Sequence, residues 1–115
     1  MSFAVQEIRA GLWVVTPDGR LDHLLTPGLE MTLANVLQRG ARYIVVDLAG
    51  VPYINSGGLR ALVTSWRRAR AAGGDLFLAS MTTHVQDVFE MVGFEKVFAT
   101  FATVAEACAA ADAPD

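Results

Sequence analysis

The chain has few of the residues on which most enzyme and metal sites depend. Cys108 is its only cysteine, which excludes an internal disulfide and a cysteine-rich metal site. Lys96 is its only lysine and follows Phe-Glu, so the Gly-Lys-Ser/Thr end of a phosphate-binding loop is missing. The two histidines, His23 and His84, share no short metal-binding spacing. We therefore expect no metal, no cofactor and no catalytic activity.

Charge is also scarce. Nine Lys and Arg stand against twelve Asp and Glu, so 18% of the 115 residues are charged and the net charge is −3. The lack of a basic excess disfavours a nucleic-acid partner, and a hydrophobic content of 53% excludes a disordered chain. Charges interrupt every apolar stretch before the roughly 18 residues of a membrane-spanning helix, which argues against membrane insertion. Glu7 and Arg9 near the start argue against a secretory signal. We expect a single cytoplasmic domain over residues 1–115.

Strand-like and helix-like patterns alternate along this domain. Two apolar segments flank residues 10–11 and predict an antiparallel hairpin. Continuous apolar runs at 43–46 and 76–79 are typical of strands buried on both faces. Helical spacing of apolar residues predicts helices between and after these strands, with a short strand near 97–98. The order predicts an α/β fold, a mixed sheet with about four helices, and a frayed tail over 110–115.

Hydroxyl residues mark the expected helix starts. Thr26 precedes a proline, as at many helix N-termini, and Ser56 precedes the second helical pattern. Thr83 and Thr103 are each followed three residues later by Gln or Glu, the capping-box pattern. We expect these four side chains to cap the four helices.

The segment from Asp47 to Leu59, DLAGVPYINSGGL, resembles the signature of STAS domains, the family of bacterial anti-sigma-factor antagonists. In that family a buried strand ends in Asp-Leu, and a loop leads to Asp-Ser-(Ser/Thr)-Gly-Leu at a helix start. GRLD at 19–22, GGDL at 73–76 and VFEMVGF at 88–94 fit the same family, so the resemblance covers nearly the whole chain. It implies a STAS-type mixed sheet with an N-terminal antiparallel hairpin.

The resemblance also implies a function and a site. Family members bind an anti-sigma factor that is also a serine kinase, and thereby free a sigma factor to direct transcription. The implied partner-binding and regulatory residues are Asp22, Asn55, Ser56, Gly57, Gly58, Leu59 and Arg60.

Two of these positions depart from the family pattern. Phosphorylation of the residue before the conserved glycine switches family members off, and that residue is Gly57 here. Asn55 stands where the family usually has Asp. The departures indicate a binding module that has lost the usual off-state. Two alternatives stay open: the domain is controlled in a different way, or Ser56 has become the phosphate acceptor. As a plain helix cap, Ser56 would have no regulatory role.

A second functional class also fits the helix start. STAS accessory subunits of lipid-transport ABC complexes, which bind the ATPase of the complex, have a hydroxyl residue followed by two glycines, as in Ser56-Gly57-Gly58. The sequence after Gly93 resembles the sigma-pathway members more closely, so the antagonist is our first interpretation. The sequence identifies neither the sigma factor nor the oligomeric state.

Overall fold

The computed structural model describes residues 3–112, which form five strands and four α-helices. In chain order these are β1 (Phe3–Arg9), β2 (Leu12–Pro17), α1 (Thr26–Gln38), β3 (Tyr43–Asp47), α2 (Ser56–Ala71), β4 (Asp75–Ala79), α3 (Thr83–Met91), β5 (Ala99–Phe101) and α4 (Val104–Asp112). A single 3₁₀ turn, Phe94–Lys96, lies between α3 and β5. Every helix within residues 3–112 is too short or too polar to span a bilayer.

The strands form one sheet in the order β1-β2-β3-β4-β5. β1 and β2 are antiparallel, and each later strand is parallel to its neighbour. The hairpin turn contains Gly11 with φ of 85°, a left-handed conformation that glycine adopts without a Cβ clash. The predicted mixed α/β sheet with an N-terminal antiparallel hairpin and four helices is confirmed.

Helices cover both faces of the sheet. Alternate strand residues such as Ile44 and Leu76 pack in the larger core, under α1, α2 and α3. Their neighbours Val45 and Phe77 pack in a second core, under α4. This alternation follows from the two-residue period of a strand, and it explains why both central strands are continuously apolar. Both central strands carry apolar cores on each side, so they form a firm base for the loops at their ends.

Two helix starts lie one residue away from their predicted positions. α1 begins at Thr26, but the capping position is Leu25, and the buried Thr26 hydroxyl has no hydrogen-bond partner among residues 3–112. α3 begins at Thr83, and the cap is Thr82, whose Oγ1 accepts a hydrogen bond from the Val85 backbone N–H at 3.4 Å. The predicted caps Thr26 and Thr83 are therefore wrong by one residue.

The C-terminal part agrees with the sequence in one respect and differs in two. Thr103 caps α4, since its Oγ1 accepts from the Glu106 N–H at 3.1 Å. The last strand lies at Ala99–Phe101 rather than at 97–98, because the N–H groups of Val97 and Phe98 donate to the Phe94 carbonyl, at 3.0 and 3.2 Å, and do not pair with β4. α4 continues through Asp112, so residues 110–112 of the expected frayed tail are helical. Residues 113–115 lie outside the described residues.

Candidate protein-binding site

The loops that follow β2 and β3 lie side by side at the carboxyl end of these two strands. We call residues 18–25 loop A and residues 48–55 loop B. The Leu21 N–H donates to the Tyr53 carbonyl at 2.8 Å, and the Asn55 N–H donates back to the Leu21 carbonyl at 3.1 Å. A further bond joins Gly19 N–H to the Gly50 carbonyl at 2.9 Å. The two loops therefore form one hydrogen-bonded unit, as an extension of the parallel sheet.

This unit holds the start of α2 in place. Asn55 is the capping residue, and its Oδ1 accepts a hydrogen bond from the Gly58 N–H at 3.0 Å. Ser56 is the first residue of the helix and is exposed. The prediction that Ser56 caps α2 is wrong, because the neighbouring Asn55 has the extended backbone that a capping position requires. The Ser56 hydroxyl is therefore not used by the cap.

Gly58 and Leu59 face the interior. A Cβ at residue 58 would lie 2.8 Å from Ile54 Cγ1 and 3.1 Å from the Leu21 carbonyl oxygen, closer than packed atoms approach. Leu59 is 9% exposed and belongs to the larger core. Of the predicted partner-binding residues, Gly58 and Leu59 therefore support the turn by packing against the interior. Direct contact with a partner stays a prediction for the more accessible ones.

Gly57 is in a different environment. A Cβ built at this residue meets Asn55 Oδ1 at 3.4 Å, an ordinary van der Waals contact. The backbone of Gly57 is outside the left-handed region that favours glycine. A Cβ is therefore accommodated here, and the fold itself does not require glycine at residue 57.

Two charged residues lie beside this turn. Asp22 accepts hydrogen bonds at Oδ1 from the Leu24 N–H at 3.0 Å and the Leu25 N–H at 3.3 Å. The Leu24 bond is the main cause that lowers the pKa of Asp22, with smaller contributions from the Leu25 bond and the charges of His23 and Arg20. Asp22 therefore fixes the shape of loop A as a carboxylate. Arg60 is exposed one turn into α2.

Sequence patterns did not predict a stack of three side chains beside this turn. The Arg20 guanidinium lies 4.1 Å from the centre of the Tyr53 ring. The His84 ring stacks on Tyr53 at 6.1 Å between centres, with 14° between the planes. Arg20 is in loop A, Tyr53 in loop B and His84 in the first turn of α3. A signal for such a contact is hard to find, because the three residues are far apart in sequence.

Loop B is also hydrogen-bonded to the residue that caps α3. Thr82, the residue that caps α3, donates its hydroxyl to the Val51 carbonyl at 3.2 Å. Loop B is thus bonded to loop A on one side and to the start of α3 on the other. The arrangement offers an exposed, well-supported turn, which is suited to binding another protein.

Comparison with known proteins agrees with this description. The STAS domain model matches residues 4–107. "Putative anti-sigma factor antagonist BtrV" of Bordetella bronchiseptica is 35% identical over 101 residues, covering 88% of this chain and 86% of BtrV. The anti-sigma-B factor antagonist of Staphylococcus aureus is 30% identical over 77 residues, 67% of this chain and 71% of that protein. Unphosphorylated SpoIIAA, an anti-sigma factor antagonist, superimposes with a TM-score of 0.81 at 21% identity, covering 93% of both chains.

The fold and the loop-supported helix start define a small α/β domain with an exposed, hydrogen-bonded turn. The chain belongs to the STAS domain family, and the two relatives described above are named as anti-sigma factor antagonists. The family resemblance inferred from residues 47–59 is confirmed.

Proposed function

We propose that this chain is an anti-sigma-factor antagonist. It binds an anti-sigma factor that is a serine kinase, and so releases a sigma factor. The proposal rests on the names of its relatives in Bordetella and Staphylococcus together with one structural observation. That observation is the exposed turn from Asn55 to Gly57, which loops A and B hold at the start of α2. The named relatives favour this function over that of an ABC-complex subunit.

The binding surface consists of the accessible residues around this turn: Asp22, Asn55, Ser56, Gly57 and Arg60. Gly58 and Leu59 support it from the interior. Little of this surface has to become ordered on binding, because its backbone is already hydrogen-bonded. A preorganised surface loses less conformational entropy when a partner docks. The domain acts through shape and contact, without a reaction of its own.

The usual switch is absent from this surface. A phosphate at a helix N-terminus meets free N–H groups and the positive end of the helix dipole, so the domain itself would tolerate it. Its inhibitory effect therefore acts on the partner, through repulsion and the cost of desolvating about two negative charges. Gly57 has no hydroxyl to accept a phosphate, so the antagonist stays competent to bind in the presence of the kinase and ATP.

A charge placed on the turn tests the surface. We expect Ser56→Asp to weaken binding to the anti-sigma factor at least about tenfold, because the partner meets a buried, unpaired carboxylate. The measurement is titration calorimetry against each purified anti-sigma-factor kinase of the source organism. Ser56→Ala controls for loss of the hydroxyl. Thr64→Asp, on an exposed part of α2 two turns away, controls for added charge.

Two results would contradict the proposal. One is that the unmodified chain binds none of these kinases. The other is that Ser56→Asp binds as tightly as the unmodified chain, in which case the Ser56 turn is not the contact surface.

A further inference from the structure

The stack of Arg20, Tyr53 and His84 lies beside the proposed binding turn but is not needed to build it. The turn is held by backbone hydrogen bonds and by the Asn55 cap, none of which involves these three side chains. Arg20 and His84 are exposed, and Tyr53 is half-buried. We call these three residues the Tyr53 stack.

Tyrosine and arginine are the residue types that dominate binding energy at protein interfaces. Here the Tyr53 ring contacts both the Arg20 guanidinium, 4.1 Å from the ring centre, and the His84 imidazole, 6.1 Å between ring centres. These contacts restrict the side chains before any partner arrives, so less rotamer entropy is lost on binding. The stack is also continuous with the turn, since Tyr53 is two residues before Asn55.

The charged side chains at this edge differ in how they are bonded. Asp22 and Asp47 accept hydrogen bonds at Oδ1 from backbone N–H groups of loops A and B, whereas the carboxylate of Asp18 in loop A is exposed. Arg20 makes no ion pair within residues 3–112, where the ion pairs found are Arg9–Asp112 and Arg70–Asp75. The guanidinium of Arg20 therefore keeps donors free for an acidic group.

An apolar side chain accompanies this cation. Leu24 is 67% exposed on loop A, where Asp22 fixes its backbone through the Leu24 N–H. A single exposed leucine is common on protein surfaces, but one on a loop whose backbone is already fixed can contact a partner with little further ordering. A cation and an apolar group on one loop suit a protein surface that combines an acidic side chain with an apolar depression.

We infer that the Tyr53 stack and Leu24 form a specificity-determining extension of the binding surface. It receives an acidic side chain of the anti-sigma factor on Arg20 and an apolar side chain on Leu24. The inference rests on the proposed function, because the occupant is the same partner. It assigns binding roles to Arg20, Leu24, Tyr53 and His84, and thereby extends the surface from α2 to the first turn of α3.

Affinity measurements on four variants test this extension. Arg20→Ala and Leu24→Ser should each weaken binding to the anti-sigma-factor kinase about tenfold, the loss expected for an interface residue that contributes measurably to affinity. His84→Ala should weaken it about threefold by releasing one side of the Tyr53 ring. Arg42→Ala is the matched control, because Arg42 is also exposed and lies 5.8 Å from the centre of a tyrosine ring, Tyr43, at the opposite end of the sheet. It should bind within about twofold of the unmodified chain.

Salt dependence and thermal unfolding separate a binding role from a structural one. Added salt should weaken binding by the unmodified chain more than binding by Arg20→Ala, since a steering charge is screened. Melting temperatures of Arg20→Ala and Leu24→Ser should stay close to that of the unmodified chain. Lower melting temperatures with unchanged affinity would show that the stack is only a structural clamp, which overturns the inference.

The outcomes also separate this inference from the proposed function. If the unmodified chain binds the kinase and all three variants bind equally well, the extension is wrong while the antagonist function stands. If the unmodified chain binds no such kinase, both are wrong.

Discussion

Residues 57 and 58 are adjacent glycines in the first turn of α2, yet a side chain would meet opposite surroundings at the two positions. At residue 58 a Cβ would collide with Ile54 and with the backbone of Leu21 in loop A. At residue 57 it would meet only an ordinary contact with the Asn55 side chain. Gly58 is thus required by the packing of loop A on α2. Gly57 is not, so the absence of a hydroxyl there is a property of this chain rather than of the fold.

The largest loss of stability is expected at residue 58, where the packing is closest. Gly58→Ala should destabilise the domain by about 2 kcal/mol, because overpacking typically costs 1–3 kcal/mol and alanine recovers part of this through its helix propensity. Chemical denaturation followed by circular dichroism measures the change. Gly57→Ala is the matched control, and equal losses for both variants would remove the distinction between the two glycines.

An intermediate loss of stability is expected on replacing Asn55, the residue that caps α2. Asn55→Ala removes the acceptor of the Gly58 N–H and should cost about 1 kcal/mol, whereas Asn55→Asp should retain most of the stability. The same denaturation experiment measures both. Since Ser56 is outside the cap, Ser56→Ala should change stability by less than about 0.5 kcal/mol. A larger loss for Ser56→Ala than for Asn55→Ala would restore Ser56 as the cap.

The smallest effect on stability is expected at residue 57, where a serine would also add a hydroxyl that can accept a phosphate. Gly57→Ser should leave the free energy of unfolding within about 0.5 kcal/mol of its original value, because serine forms helices better than glycine and has room. It should also become a phosphate acceptor when incubated with the anti-sigma-factor kinase and ATP, as mapped by mass spectrometry. The unmodified chain should stay unphosphorylated. Phosphate on Ser56 of the unmodified chain would instead identify Ser56 as the acceptor and contradict the loss of the off-state.

The sequence predicted the sheet well because its signals are local and redundant. The two central strands are continuously apolar, and this pattern has few interpretations in a chain that alternates strands with helices. Cap positions were harder to predict. Asn55 stands next to Ser56, and Thr82 next to Thr83, so the starts of α2 and α3 each offer two chemically suitable caps. The point at which the backbone becomes helical decides between them, and tertiary contacts set that point.

In the site, too, features formed by consecutive residues were easier to predict than contacts between residues far apart in sequence. The family motif around Ser56 could be recognised because its residues are consecutive in sequence, and their roles in binding stay a prediction. Phe98, predicted in a strand, instead packs edge-on against Trp66, Phe89 and Phe94. Such an aromatic cluster draws residues from separate segments, as does the Tyr53 stack. Neither has a repeating spacing by which a pattern in one sequence could reveal it.

The two outer strands of the sheet bear on how this domain behaves at high concentration. An open sheet edge exposes backbone groups that can pair with another chain and start aggregation. Here one edge, β5, has only three residues, and the other, β1, has Glu7 and Arg9 on either side of the exposed Ile8. Short length and charge both discourage such pairing. Neither edge of the sheet is therefore a favourable template for pairing with a second copy of the chain.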